Sequence, residues 1–185
     1  MVLIKGYEKK YYEDVRFACL NCDGPCDSDE QESKYLLKNY CDYYIEVEPN
    51  NCFVAVNEND RAVGYIISAE DYWCFEREFN KIYIPRIKEI DETKVNEALN
   101  SAHLQKKYAK NYPAHLHIGI LPEYQRLGLG SKLINTLLEH YKQKVPGIML
   151  GCWSDNTLAI KLYKKFGFEI LGEESGSTAM GKKLS

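Results

Sequence analysis

The clearest chemistry in this 185-residue chain lies in Gln125-Arg126-Leu127-Gly128-Leu129-Gly130-Ser131. Two glycines, two apart, sit where an apolar run from Ala114 to Leu121, closed by Pro122, gives way to a helical repeat. Without a Cβ, backbone at such a point can approach a ligand closely. The unpaired amides of the first helical turn and the positive end of the helix dipole then face that ligand. The chemistry is anion binding, and phosphate suits it best. The spacing is not the dinucleotide fingerprint, since a third glycine is missing and Ser131-Lys132 follows directly; nor is it a P-loop, which needs Gly-Lys-Ser/Thr.

Proton transfer has several candidates. His115 and His117 lie two apart on a strand, hence on one face, and imidazole titrates in the range a general base needs. The same pattern equally describes two partly buried polar residues beneath neighbouring helices. Glu70 and Asp71, ending an earlier strand, could act through water or hold a cationic acceptor. Cys19, Cys22 and Cys26, with Cys41 further on, outline part of a metal site, but a second close pair is absent. Cys19 and Cys22 also share an apolar helical face with Tyr12 and Val15, where a thiol behaves as a small hydrophobe. Seven cysteines, an odd number, fit a closed disulfide framework poorly. The expectation is reduced thiols and no metal.

These residues need particular elements to hold them. Residues 114–121 read as a strand. A helix from about Gly128 to Lys144 follows, with Leu133, Ile134, Leu137, Leu138 and Tyr141 on one face. Gly147 to Trp153 reads as a short buried strand. Ser154-Asp155-Asn156 then offers capping side chains to a helix with Ala159, Leu162, Tyr163 and Phe166 in phase. A helical crossover makes the two strands parallel. Upstream, Val2 to Ile4 suits an edge strand and Tyr11 to Cys22 a helix broken by Gly24-Pro25. Ser28-x-x-Gln31 has the form of a capping box opening a second helix through Leu36, Leu37 and Tyr40. Cys52 to Val56 and Arg61 to Ala69 form a hairpin across Asn57-Glu58-Asn59-Asp60. Between Glu70 and Pro113, residues 73–83 and 95–108 are helix-like, with Pro85 interrupting. This insertion, at about 72–112, is a helical cover for one sheet face or an acceptor-site lid bearing Tyr72, Trp73, Phe75 and Tyr83.

Ile120-Leu121-Pro122 followed by Gln125 through Gly130 resembles motif A of the GNAT acetyltransferases. Asp155-Asn156-x-x-Ala159-x-x-Leu162-Tyr163-x-x-Phe166-Gly167-Phe168 resembles their motif B. The resemblance is strong over about residues 114–184 and covers the amino-terminal half in outline. It implies one α/β domain over residues 1–185, with a mixed, mostly antiparallel sheet, helices on both faces, and strands 114–121 and 147–153 parallel and splayed apart. It implies acetyl-CoA as donor and CoA as product, held by Ile118, Gly119, Ile120, Gln125, Arg126, Leu127, Gly128, Leu129, Gly130, Ser131, Asn156, Ala159 and Tyr163. Exposed amides around Ile118 to Ile120 would polarise the thioester carbonyl. Tyr163, whose hydroxyl is protonated at neutral pH with a reference pKa of about 10, would protonate the departing thiolate. Helical spacing alone makes Tyr163 a core aromatic. The proton acceptor would be His117 or His115.

Within that family, Pro113 to Ile118 leading into Leu121 to Arg126 is similar to the acetyltransferase-like domain of O-GlcNAcase and its stand-alone bacterial relatives. Such relatives often carry an acidic residue where this chain has Gly119. The activity implied is N-acetylation of a primary amine on a small molecule or peptide. The alternative is a CoA-binding module without turnover.

Composition agrees with a folded domain: 45% of residues are hydrophobic and 28% charged. A net charge of −3 argues against nucleic-acid and acidic-membrane partners. The apolar start, Met1 to Gly6, is too short for a signal peptide, and no run approaches the roughly 20 residues of a membrane span. A cytoplasmic monomer or homodimer is expected.

Overall fold

The strand Ala62–Ala69 (β3) buries all eight of its residues, as a strand covered on both faces must. In the computed structural model, which describes residues 1–184, the rest of the sheet extends from it on either side. Leu3–Gly6 (β1) and Phe53–Val56 (β2) lie to one side; Ala114–Ile120 (β4), Gly147–Trp153 (β5), Ser177–Lys183 (β7) and Glu169–Glu174 (β6) lie to the other. The spatial order is β1-β2-β3-β4-β5-β7-β6. Every neighbouring pair is antiparallel except β4 and β5, the mixed sheet that the sequence implies.

That parallel pair is short. Only Ala114 and His115 find partners, in Ile148 and Met149. Beyond them β4 stays on β3 as far as Ile120↔Gly64, while β5 stays on β7 as far as Trp153↔Ser177. The strands diverge, and the edges of residues 116–120 and 150–153 that face each other are left without ladder partners. Backbone polar groups seldom stay unpaired, so such a gap is built to be filled.

The crossover between them is Leu129–Tyr141 (α7), which buries Leu129, Leu133, Ile134, Leu137 and Tyr141 against the sheet. The opposite face is covered by Tyr12–Asn21 (α1), Glu30–Tyr40 (α2), Asp42–Val47 (α3) and the inserted segment. Two local expectations need correction, and one element is added. Ser28 does not cap α2: Asp29 does, its carboxylate accepting from the Glu32 amide at 2.8 Å. The region after Tyr40 adds the short helix α3, which contributes the buried Tyr43, Tyr44 and Ile45. Pro85 does not interrupt its helix, because Tyr72–Ile90 (α4) runs through it. Proline inside a helix costs about 3 kcal/mol. Burying Tyr72, Phe75, Phe79, Tyr83 and Ile87 along one stripe is worth about 1.5–3 kcal/mol each, so packing outweighs the lost hydrogen bond.

The rest of the insertion is two helices, Val95–Asn100 (α5) and His103–Tyr108 (α6), where the sequence suggests one. The segment closes on itself, the Tyr72 amide donating to the Pro113 carbonyl at 2.9 Å. Of its aromatics Tyr72, Phe75 and Tyr83 are core residues and Trp73 is exposed, so this is chiefly a cover for the sheet face. Among the described residues no helix is long and apolar enough to cross a membrane.

Candidate active site

Three elements converge where β4 and β5 part: the end of β4, the loop into α7, and Thr157–Lys165 (α8), which follows β5. Between them is a cavity of about 530 Å³. Ile118, Gly119, Ile120, Gln125, Arg126, Gly128, Leu129, Gly130, Ser131, Asn156, Ala159 and Tyr163 all line it. Leu127 does not; its side chain is exposed beyond the rim. Cys22 and Asp23, just past α1, and Leu158 and Leu162 on α8 complete the lining and were not foreseen. Leu162 is in phase with Tyr163 in the α8 repeat, a signal that could have found it; Cys22 and Asp23 arrive by tertiary folding alone.

The loop geometry follows from its residues. Gly128 has φ +77° and Arg126 φ +62°, left-handed conformations two residues apart. Such backbone turns successive amides toward a common concavity suited to anions. Gly128 caps α7 without a side-chain hydrogen bond, so the first-turn amides stay available. Gly130 serves packing, since a Cβ there would meet Leu162 at 3.3 Å and Ile120 at 3.6 Å. The Gln125 side-chain Nε2 donates to the Cys22 carbonyl at 2.8 Å and to the Ile120 carbonyl at 2.9 Å, tying the loop after α1 to the end of β4. Its side chain shapes the cavity wall.

On α8, Asn156 caps the helix, its side-chain oxygen accepting from the Ala159 amide at 3.1 Å, which leaves its NH₂ to donate. Tyr163 is buried yet lines the cavity. Burial first, then the nearby Cys152, Cys22 and Asp23, pushes its phenol above the ordinary value, so it stays protonated. No hydrogen bond among the described residues takes up its hydroxyl.

The histidines form a different structure. His115 and His117 both point their Nε2 at the Tyr44 hydroxyl, each at 3.1 Å. One hydroxyl has one proton to give, so it donates to one ring and accepts from the other, and the two imidazoles take opposite roles at Nε2. His115 is buried, with no partner for its Nδ1, and Phe75 packs edge-on against it at 4.7 Å. His117 is half-buried. Burial, then the neighbouring His117, holds the His115 imidazolium pKa down to about 3; burial holds that of His117 to about 4. Both rings are neutral at pH 7. Neither lines the cavity, and His115 is sealed from solvent.

The other base candidates lie elsewhere. Because β3 is antiparallel to β4, with Ala69 opposite His115, Glu70 and Asp71 fall at the end of the sheet away from the splay. Asp71 caps α4 by accepting from the Cys74 amide at 2.9 Å. Gly119 is opposite Tyr65, and a Cβ on it would come within 2.8 Å of the Tyr65 ring. Tyr65 thus occupies the space a longer residue at 119 would need. Among the described residues no group of three or more His, Cys, Asp or Glu side chains is placed to hold a metal ion. All seven cysteines are unpaired, with Cys41 buried and Cys19, Cys22 and Cys26 half-buried.

Comparison with known proteins is consistent with this geometry. Residues 12–168 match the model of the acetyltransferase (GNAT) family. The spermine/spermidine N(1)-acetyltransferase of Bacillus subtilis (strain 168) is 38% identical over 65 residues, 33% of this chain. The match spans only 43% of that relative's length, and the probable spermine N(1)-acetyltransferase of Bacillus subtilis subsp. natto matches equally. Among solved structures, that of SsHAT superposes with a TM-score of 0.87 at 23% identity, covering 100% of this chain and 98% of the other. A mutant agmatine N-acetyltransferase in its apo form superposes with a TM-score of 0.60 at 16% identity, covering 99% of each chain.

Proposed function

The chain belongs to the acetyltransferase (GNAT) family, and on that premise we propose that it transfers the acetyl group of acetyl-CoA to a primary amine of a small molecule or peptide. One observation carries the reading: the unpaired end of β4 at Ile118 to Ile120, the glycine loop and Tyr163 all line a single cavity. The loop amides from Gln125 to Ser131 bind the pyrophosphate of CoA. The pantetheine arm lies in the splay, where strand-edge amides take the place of ladder partners and Asn156 donates to it. Amides at Ile118 to Ile120 stabilise the oxyanion formed as the amine attacks the thioester carbon. The C–N bond forms, the C–S bond breaks, and Tyr163 gives its proton to the leaving thiolate.

Proton uptake from the amine falls to His117, the half-buried member of the histidine pair, which lies outside the cavity lining but two residues before the lining Gly119 on the same strand face. Its low pKa is sufficient because the amine nitrogen turns strongly acidic as it bonds to carbon. Tyr44 and His115 act as positioning residues that fix the tautomer of His117. The matched Bacillus relatives, named for spermine and spermidine, and the structural neighbour named for agmatine support a cationic amine as acceptor. The acceptor is a small molecule or a peptide, no nucleic acid or membrane takes part, and the protein works as a cytoplasmic monomer or homodimer.

A second reading, a CoA-binding module without turnover, draws on the likeness of residues 113–126 to the acetyltransferase-like domain of O-GlcNAcase. One observation favours it: Tyr65 fills the space beside Gly119, so no carboxylate can stand there. Thiol release from acetyl-CoA, measured with and without a panel of amines, decides between them. Amine-dependent release is expected. Tight CoA binding with no release on any amine would replace the first reading by the second.

A further inference from the structure

The face of the splay turned away from α7 can be followed residue by residue. Ile120 points toward α7, where it approaches Gly130, so His115, His117 and Gly119 point the other way. His115 is paired with Met149, which places Met149, Gly151 and Trp153 of β5 on that same side. Gly151 agrees, since a Cβ on it would meet Leu104 of α6 at 3.8 Å. Had the strands stayed together, Gly151 would stand opposite His117 and Trp153 opposite Gly119. They part instead, and Trp153 ends β5 beyond the part paired with β4, on the side of the sheet that bears His117.

Trp153 is 65% exposed, and no aromatic ring or cation among the described residues stacks on it. It forms one wall of a second cavity of about 520 Å³, completed by Ser154, Asp155 and Gly176. The walls are pinned: the Ser154 amide donates to the Gly176 carbonyl at 2.9 Å, and Ser154 Oγ and Thr178 Oγ1 are 2.8 Å apart. Asp155 is exposed, and no ion pair or side-chain hydrogen bond among the described residues engages its carboxylate. No cationic side chain lines this cavity. Lys107 of α6, which reaches the same sheet face, is held by Glu174 at 2.9 Å. An open indole face beside an unpaired carboxylate attracts a cation, and the carboxylate repels any phosphate-bearing base that would otherwise stack there.

We propose that the Trp153–Asp155 pocket binds the distal ammonium of a diamine or polyamine acceptor whose reacting amine lies in the splay. This deepens the function proposed above and rests on it. It makes the chain an acetyltransferase selective for amines with a second positive charge, the selectivity supplied by residues at the junction of β5 and α8.

Kinetics with spermidine and propylamine as probes test it. Trp153→Ala and Asp155→Asn should each lower the ratio of kcat/KM for spermidine to that for propylamine by roughly two- to fivefold, the size of an exposed cation–π contact or ion pair. An unchanged ratio in both variants overturns the proposal. A binding arm separates this failure from failure of the proposed function. In CoA-loaded Trp73→Phe protein, Trp153 is the sole tryptophan. Spermidine should change its fluorescence saturably, and adding Asp155→Asn should weaken that response, whether or not any amine is acetylated. No response at millimolar spermidine would overturn the subsite even if turnover were found.

Discussion

Acid should destabilise this protein through the two imidazoles on Tyr44, and replacing His115 by Gln isolates that effect. The folded-state pKa of His115 lies near 3 and that of His117 near 4, both below the ordinary value near 6.5. The unfolded chain therefore takes up protons first. Each histidine's contribution is present above about pH 6.5 and is lost as pH falls from there toward the folded value. Between pH 7 and 5 the folded rings stay neutral, and the unfolded ring gains binding free energy of about 2 kcal/mol per histidine. The parent should thus lose about 4 kcal/mol over that interval from these two residues. His115→Gln keeps an amide able to bond the Tyr44 hydroxyl but has nothing to titrate, so its loss should be smaller by about 2 kcal/mol. Carboxylates titrate mostly below this window, and His103 and His140 are common to both proteins. Urea unfolding at pH 7, 6 and 5 measures the difference. Equal losses in parent and variant would mean that His115 protonates freely in the fold, and the neutral pair would have to be abandoned.

Tyr163→Phe should lower kcat by about 10²-fold or more while acetyl-CoA affinity changes little, because the ring still fills its place and only the proton donor is gone; equal kcat would remove the donor role. His117→Gln should lower kcat/KM by a similar factor and flatten the acidic limb of the pH–rate profile, whereas a purely structural histidine would shift the unfolding midpoint and leave that profile alone. Tyr44→Phe leaves two imidazole nitrogens facing a ring edge, at a cost of about 1–3 kcal/mol in unfolding free energy, and calorimetric scanning showing no loss would contradict the shared hydrogen bond.

The cavity where β4 and β5 part was legible because its signals are local. Glycine spacing, the α7 repeat and the Asn156 cap each lie within one turn or strand, and the parallel strands follow from the crossover between them. The surroundings of the histidine pair were not. The histidines read correctly as sharing a face, yet their partner Tyr44 is 71 and 73 residues away, in a short helix with no periodic signal. Pro85 misled for the opposite reason: a local rule was overridden by aromatic packing along α4. Gly119 reads as a missing side chain in the sequence, and only the register with Tyr65 shows what fills the space.

The central claim is that the loop from Gln125 to Ser131 cradles the pyrophosphate of CoA. Gly128 tests it most directly, because a Cβ there meets nothing within 4 Å, although its φ of +77° strains most side chains. Asn and Asp tolerate that backbone alike and differ in charge, so the pair separates strain from electrostatics. Calorimetric titration of CoA should show modestly weaker binding to Gly128→Asn and, for Gly128→Asp, a loss of about 10²-fold or more relative to the parent. CoA binding to Gly128→Asp with the parent's affinity would contradict the account.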